Sequence, residues 1–137
     1  TMTVNGYFNI EELLKNFPHC PEFSDESFVG IYHIHQRWDD PEFWKLDKAI
    51  YELSEIHNGK DISRDVAWPL TRIFSYLMMS IQAHFDSNDG FKIEGINSED
   101  LFNRRERLQL VVEGFFKGKM PNNDHFDYSN PLLRSST

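Results

Sequence analysis

The chain has one cysteine, Cys20, in 137 residues. No intramolecular disulfide can form, and nothing points to an oxidising compartment. Neighbouring His19 does not make that thiol a nucleophile, because adjacent side chains on an extended segment point apart. Glycine and proline are sparse, seven and six, while 39% of residues are hydrophobic and 15% aromatic. That composition lies far from the weakly hydrophobic, highly charged mixtures that stay disordered. No apolar run approaches the roughly 18 residues of a membrane span. The opening TMTVNGYFNIEELL has no basic stretch followed by an apolar one, as a secretory signal requires. The expectation is a cytoplasmic protein of one domain, residues 1–137, long enough to bury a core without metal or disulfide.

Positive charge is also in short supply. Fourteen Lys and Arg face 22 Asp and Glu, for a net charge of -8 and a pI of about 5.1. Nucleic acid and anionic membranes repel such a chain, whereas a basic partner attracts it. Nucleotide loops and the G-x-S-x-G elbow are missing. The stretch from Asp86 resembles a calcium loop until it is counted, with Gly90 at position 5 and Asn97 at position 12. An EF-hand needs Gly at 6 and Glu at 12. The chain is therefore read as a non-enzyme without a cofactor.

What the sequence does have is helical periodicity. From Ser63 to Phe85, Val66, Leu70, Ile73, Phe74, Leu77, Met78 and Ile81 recur at spacings of three and four over a wide arc. A helix apolar over so much of its surface is expected to be the central rod, with amphipathic elements laid against it. Pro69 interrupts it, so the helix either bends there or begins near Trp68.

In chain order, Asn9 and Glu12 form a capping box for a helix over 9–17 with Ile10, Leu13, Leu14 and Phe17 as its apolar set. Residues 28–34 contain Val29, Ile31, Tyr32 and Ile34, which admit a strand that Gly30 weakens. Residues 91–96 alternate and would be its partner in a minor two-stranded element. Residues 40–58 carry every terminal signal of a helix: Asp40 as cap, Pro41 in the first turn and Asn58-Gly59 as exit. Phe43, Leu46, Ile50 and Leu53 line one side, with Lys45, Asp47, Lys48, Glu52 and Glu55 opposite. Ser98 to Lys117 forms a last helix ending at Gly118. Its Arg104, Arg105 and Arg107 are expected to pair at the surface with Glu99, Asp100 and Glu106. The tail from about residue 120 is expected to be loosely held. The fold class is mainly α, a compact helical domain around the helix at about 63–85.

The acids are unevenly placed. Residues 1–60 hold 11 acids and 5 bases; the rest holds 11 and 9. Asp39, Asp40 and Glu42 gather beside Trp38 and Trp44, with Glu52 and Glu55 further along the same helix. Aromatic anchors beside carboxylates suit a basic protein surface. The partner-binding candidates are Trp38, Asp39, Asp40, Glu42, Glu52 and Glu55, with Asp25 and Glu26 as a second patch.

FPHCPEF, the glycine-containing apolar run, WDDPEFWKLDKAI, the long apolar helix, HFDSNDGFKI and ERLQLVVEGFFKGKMP together resemble the small acidic immunity proteins of bacterial contact-dependent growth-inhibition and related polymorphic toxin systems. The resemblance covers most of the chain. It implies a cytoplasmic protein that binds the C-terminal toxin domain of a cognate effector, often a nuclease, and blocks its active site. The alternative is a small helical metal- or ligand-binding domain or enzyme using His33, His35 or His84, which metal analysis would separate from the first reading.

Overall fold

The computed structural model describes residues 10–133. Residues 10–15 are helical (α1), and the capping role expected of Asn9 lies outside the described residues. Four further helices follow: α2 Phe28–His35, α3 Asp40–Ile56, α4 Arg64–Phe85 and α5 Ser98–Lys117. Short 3-10 turns occupy Asn123–His125 and Pro131–Leu133. The fold is mainly α, as expected, but no strand occurs among the described residues.

The segment 28–34 is helical because tertiary anchors override its β-branched composition. Ser27 caps α2 by accepting a hydrogen bond from the Gly30 amide at 3.0 Å. The Asn16 side chain accepts from the Val29 amide at 2.9 Å. Phe28, Val29 and Tyr32, on one helical face, are buried. Gly30 is there for close approach: a Cβ would lie 2.3 Å from the Ser24 carbonyl oxygen and 2.7 Å from the Asp25 backbone. Residues 91–96 also form no strand, and they pair elsewhere. A single parallel bridge links Arg37 to Glu94, with the Trp38 amide donating to the Glu94 carbonyl and the Glu94 amide to Gln36, each at 2.8 Å.

Helix α3 is capped by Asp39, whose carboxylate accepts from the Glu42 amide at 3.1 Å; Asp40 is its first residue. Helix α4 begins at Arg64 on a Ser63 cap, ahead of Pro69, so the start near Trp68 does not occur. Val66, Leu70, Ile73, Leu77 and Ile81 bury one stripe of α4. The other two members of the arc, Phe74 and Met78, are half-buried against the core, while Trp68 and Met79 outside it are 59% and 69% exposed. Helix α5 runs between Asn97 as N-cap and left-handed Gly118 (φ 80°). It packs against both α3 and α4, parallel to α3 by the order of contacts Asp40–Arg104 and His57–Phe115. It is antiparallel to α4, since Arg105, early in α5, covers Phe85 at the end of α4, while Lys117, at the end of α5, lines one groove with Thr71 from the first half of α4.

The tail described to residue 133 is tied down instead of loose. Asn130 is fully buried and donates to the Trp44 carbonyl at 2.9 Å and to Asp47 at 2.8 Å. The Tyr51 hydroxyl donates to the Pro121 carbonyl at 2.9 Å.

Candidate functional site

The two ends of the acidic α3 surface are put to different uses. At its start, Trp38 is buried, 3% exposed, edge-on to Phe28 with ring centroids 4.7 Å apart. Its indole N–H donates to Asp40 Oδ1 at 2.8 Å. The same carboxylate takes a bidentate pair from Arg104, Nε to Oδ1 at 2.9 Å and Nη2 to Oδ2 at 2.8 Å. Burial alone pushes the Asp40 carboxyl up; the Arg104 and Trp38 hydrogen bonds outweigh it and leave it below the usual carboxylate range. Asp39 is occupied as the helix cap. Glu42 pairs with Lys45 at 2.6 Å, which holds the Lys45 ammonium above its ordinary value through that bond, Glu12 and Asp39 adding to it.

Further along, Pro41, Lys45, Lys48, Glu52 and Glu55 follow one another at spacings of four and three, forming the outward stripe of α3. Glu55 is exposed and Glu52 half-buried. Asp25 and Glu26 are exposed in the turn leading into α2. None of these four acids makes an ion pair among the described residues. The structure thus joins Trp38 to Asp40 and Asp39 to Glu42, and leaves Glu52, Glu55, Asp25 and Glu26 facing solvent.

Asp47 does not belong to the outward face on which the sequence pattern put it. It is 2% exposed and takes two hydrogen bonds from Arg107, Nε to Oδ1 at 2.9 Å and Nη2 to Oδ2 at 2.7 Å. Arg107, itself 1% exposed, also donates to Asn123 Oδ1 at 2.9 Å. Its guanidinium lies over Trp44, Tyr51 and Phe126 at 5.1, 5.6 and 4.8 Å. Arg104 covers Trp44 at 4.7 Å. These two arginines pair across the α3–α5 contact and not with the surface acids of their own helix. The overlooked signal is a second periodic set on α3, Asp40, Trp44, Asp47 and Tyr51 at spacings of four, three and four, opposite Arg104 and Arg107 on α5. No buried side-chain polar atom among the described residues is left without a partner.

The histidines do not converge. On a helix His33 and His35 point about 200° apart, unlike the shared face a strand would have given them. His84 Nδ1 accepts from the Ile93 amide at 2.9 Å, and burial, with Lys92 nearby, holds its ring below the ordinary value. Among the described residues no group of three or more His, Cys, Asp or Glu is placed to hold a metal ion, and no helix is long and apolar enough to cross a membrane.

No curated protein and no solved structure matches this chain. The family model of Immunity protein 41 does, over residues 15–127. That match takes in α2 to α5 and well over half of the sequence, and the chain belongs to the Immunity protein 41 family.

Proposed function

We propose that the chain binds a cognate toxin domain of a polymorphic, contact-dependent growth-inhibition type and neutralises it by covering a cationic cleft, such as a nuclease offers to its substrate, with an acidic surface. The observation that carries this reading is the far end of the outward stripe of α3, beyond Lys45 and Lys48. Glu52 and Glu55, with Asp25 and Glu26 in the turn before α2, present carboxylates without internal partners on a chain of charge -8. Glu42 lies at the edge of this surface, shared with Lys45. Trp38, Asp39 and Asp40 support it from beneath by fixing the start of α3. A cytoplasmic site of action follows from the same reading, since that is where an incoming toxin domain meets its targets.

The test is co-expression with the toxin domain of an effector encoded beside this chain. Wild type restores growth. The double reversal Glu52→Lys, Glu55→Lys slows association about tenfold at low salt and flattens its salt dependence, because exposed acids act mainly by steering. Unchanged association kinetics in that variant would remove these acids from the interface. Stoichiometric zinc or iron in the purified protein would favour a histidine metal site instead.

A further inference from the structure

We infer that the open groove between α4 and α5 is a second docking surface for the toxin, taking a basic segment that inserts large apolar side chains. This rests on the toxin-binding reading above and assigns it a contact face distinct from α3.

A groove of about 960 Å³ runs between the two helices, lined by Phe74 and Met78 from α4 and by Val112 and Phe116 from α5, with Thr71, Gln109, Glu113 and Lys117 as its polar lining. That is the upper end of small-molecule pockets, yet the groove lies open along the surface, whereas a small-ligand site encloses most of its ligand. Its shape and lining fit a peptide element laid along two helices. Methionine walls adapt to the shape of an incoming side chain.

The outer stripe of α5 supplies the rest. Glu99, Phe102, Glu106, Gln109, Glu113 and Phe116 follow at spacings of three and four, and all six are exposed. The stripe is about 26 Å long at 1.5 Å per residue. Phe102 is 50% and Phe116 43% exposed, and only Phe116 lines the groove; the Arg105 guanidinium lies over the Phe102 ring at 4.9 Å and would have to swing aside for Phe102 to be used. The three glutamates lie seven residues apart and make no ion pair among the described residues. Aromatic anchors alternating with unpaired carboxylates complement a partner whose apolar side chains are flanked by Lys or Arg. A second copy of this chain is a poor occupant: it would bring the same acidic stripe, on a molecule of charge -8, against its own likeness.

The test uses the C-terminal domain of the effector encoded beside this chain, carrying an inactivating substitution, and measures binding by titration calorimetry and stopped flow. Because both phenylalanines are exposed, Phe102→Asp and Phe116→Asp are expected to keep the wild-type circular dichroism and melting temperature. Each is expected to weaken binding at least 100-fold, mostly through faster dissociation. The pair Glu106→Lys, Glu113→Lys is expected to slow association at least tenfold. Wild-type affinity in Phe116→Asp, with wild type itself binding, would overturn the groove assignment and leave the toxin reading intact. No binding by wild type would overturn the toxin reading and the groove with it. A free chain that sediments as a dimer and is split by Phe116→Asp would make a second copy the occupant, against the inference.

Discussion

Helix α5 has two sides that solve packing in opposite ways. Toward α3 it presents Arg104 and Arg107, each forked onto an aspartate and stacked on Trp44, with Arg107 also bonded to Asn123. Toward α4 it presents Val112 and Phe116 to a groove that is left open. The first side is closed and specific in geometry, since buried guanidinium–carboxylate forks allow one register of two helices. The second has apolar surface left uncovered, and apolar surface without a polar network is what a partner can still bury. The contrast places closed packing and open apolar surface on different sides of one helix.

The comparison is broken most forcefully at Asp47. Asp47→Ala leaves the Arg107 guanidinium buried with its counter-charge gone, and the expected cost is about 3 to 5 kcal/mol. The measurement is urea unfolding, read as a lower midpoint at unchanged slope. Replacing both partners, Asp47→Leu with Arg107→Met, is expected to recover most of that loss, because the penalty comes from the orphaned charge more than from the lost pair. A single-variant loss under about 1 kcal/mol would mean that water reaches Arg107 and that the α3 side is not closed.

How far this division was legible in the sequence depends on how local its causes are. Helix α5 is readable because the acids of its first turn and Gly118 are local signals, although its cap is Asn97, one residue ahead of Ser98, which the sequence also suits for that role. Helix α2 was not: Val29, Ile31 and Ile34 have strand propensity, and what decides the matter is the Asn16 side chain holding the Val29 amide from 13 residues away. The inward pairing of Asp40 and Trp38 is not legible, because an acid beside a tryptophan has the same composition whether it faces solvent or Arg104, 64 positions on. Glu52 and Glu55 were easier, since a helical stripe of charge with no basic stripe opposite stays outside. The held tail is not legible because Asn130 is polar, and its burial follows from bonds to Trp44 and Asp47, 86 and 83 residues earlier.

A gentler perturbation is pH. Asp40 has a folded pKa below its ordinary value. Its contribution to stability is therefore fully present above the unfolded carboxylate pKa of about 3.9 and is lost as pH falls through the lower folded value. Wild type is expected to lose stability below about pH 4 more steeply than Asp40→Asn. The amide variant is less stable at neutral pH and flatter in acid. The Asp40 side chain is 36% exposed, so water screens the pair with Arg104 and the effect is smaller than at Asp47. Parallel pH profiles of the two proteins would take Asp40 out of the acid transition.

The smallest expected effect on stability comes from the groove, and it is the sharpest test of the contrast because neighbouring residues differ. Phe115 is 3% exposed and packs against His57, which caps the end of α3, with ring centroids 5.9 Å apart, whereas Phe116, one residue on, is 43% exposed beside the groove. The two share backbone geometry, helix propensity and side-chain chemistry, so the difference between their variants isolates burial. Truncation of a buried phenylalanine costs about 3 to 5 kcal/mol, through lost transfer energy and the cavity left behind. Phe116→Ala removes a ring that still faces water over much of its surface and leaves no closed cavity; its expected change is within about 0.5 kcal/mol. The same urea titration serves both. A large loss at Phe116 would mean that the groove closes over its own phenylalanine in solution, and that this side of α5 is core instead of an open face.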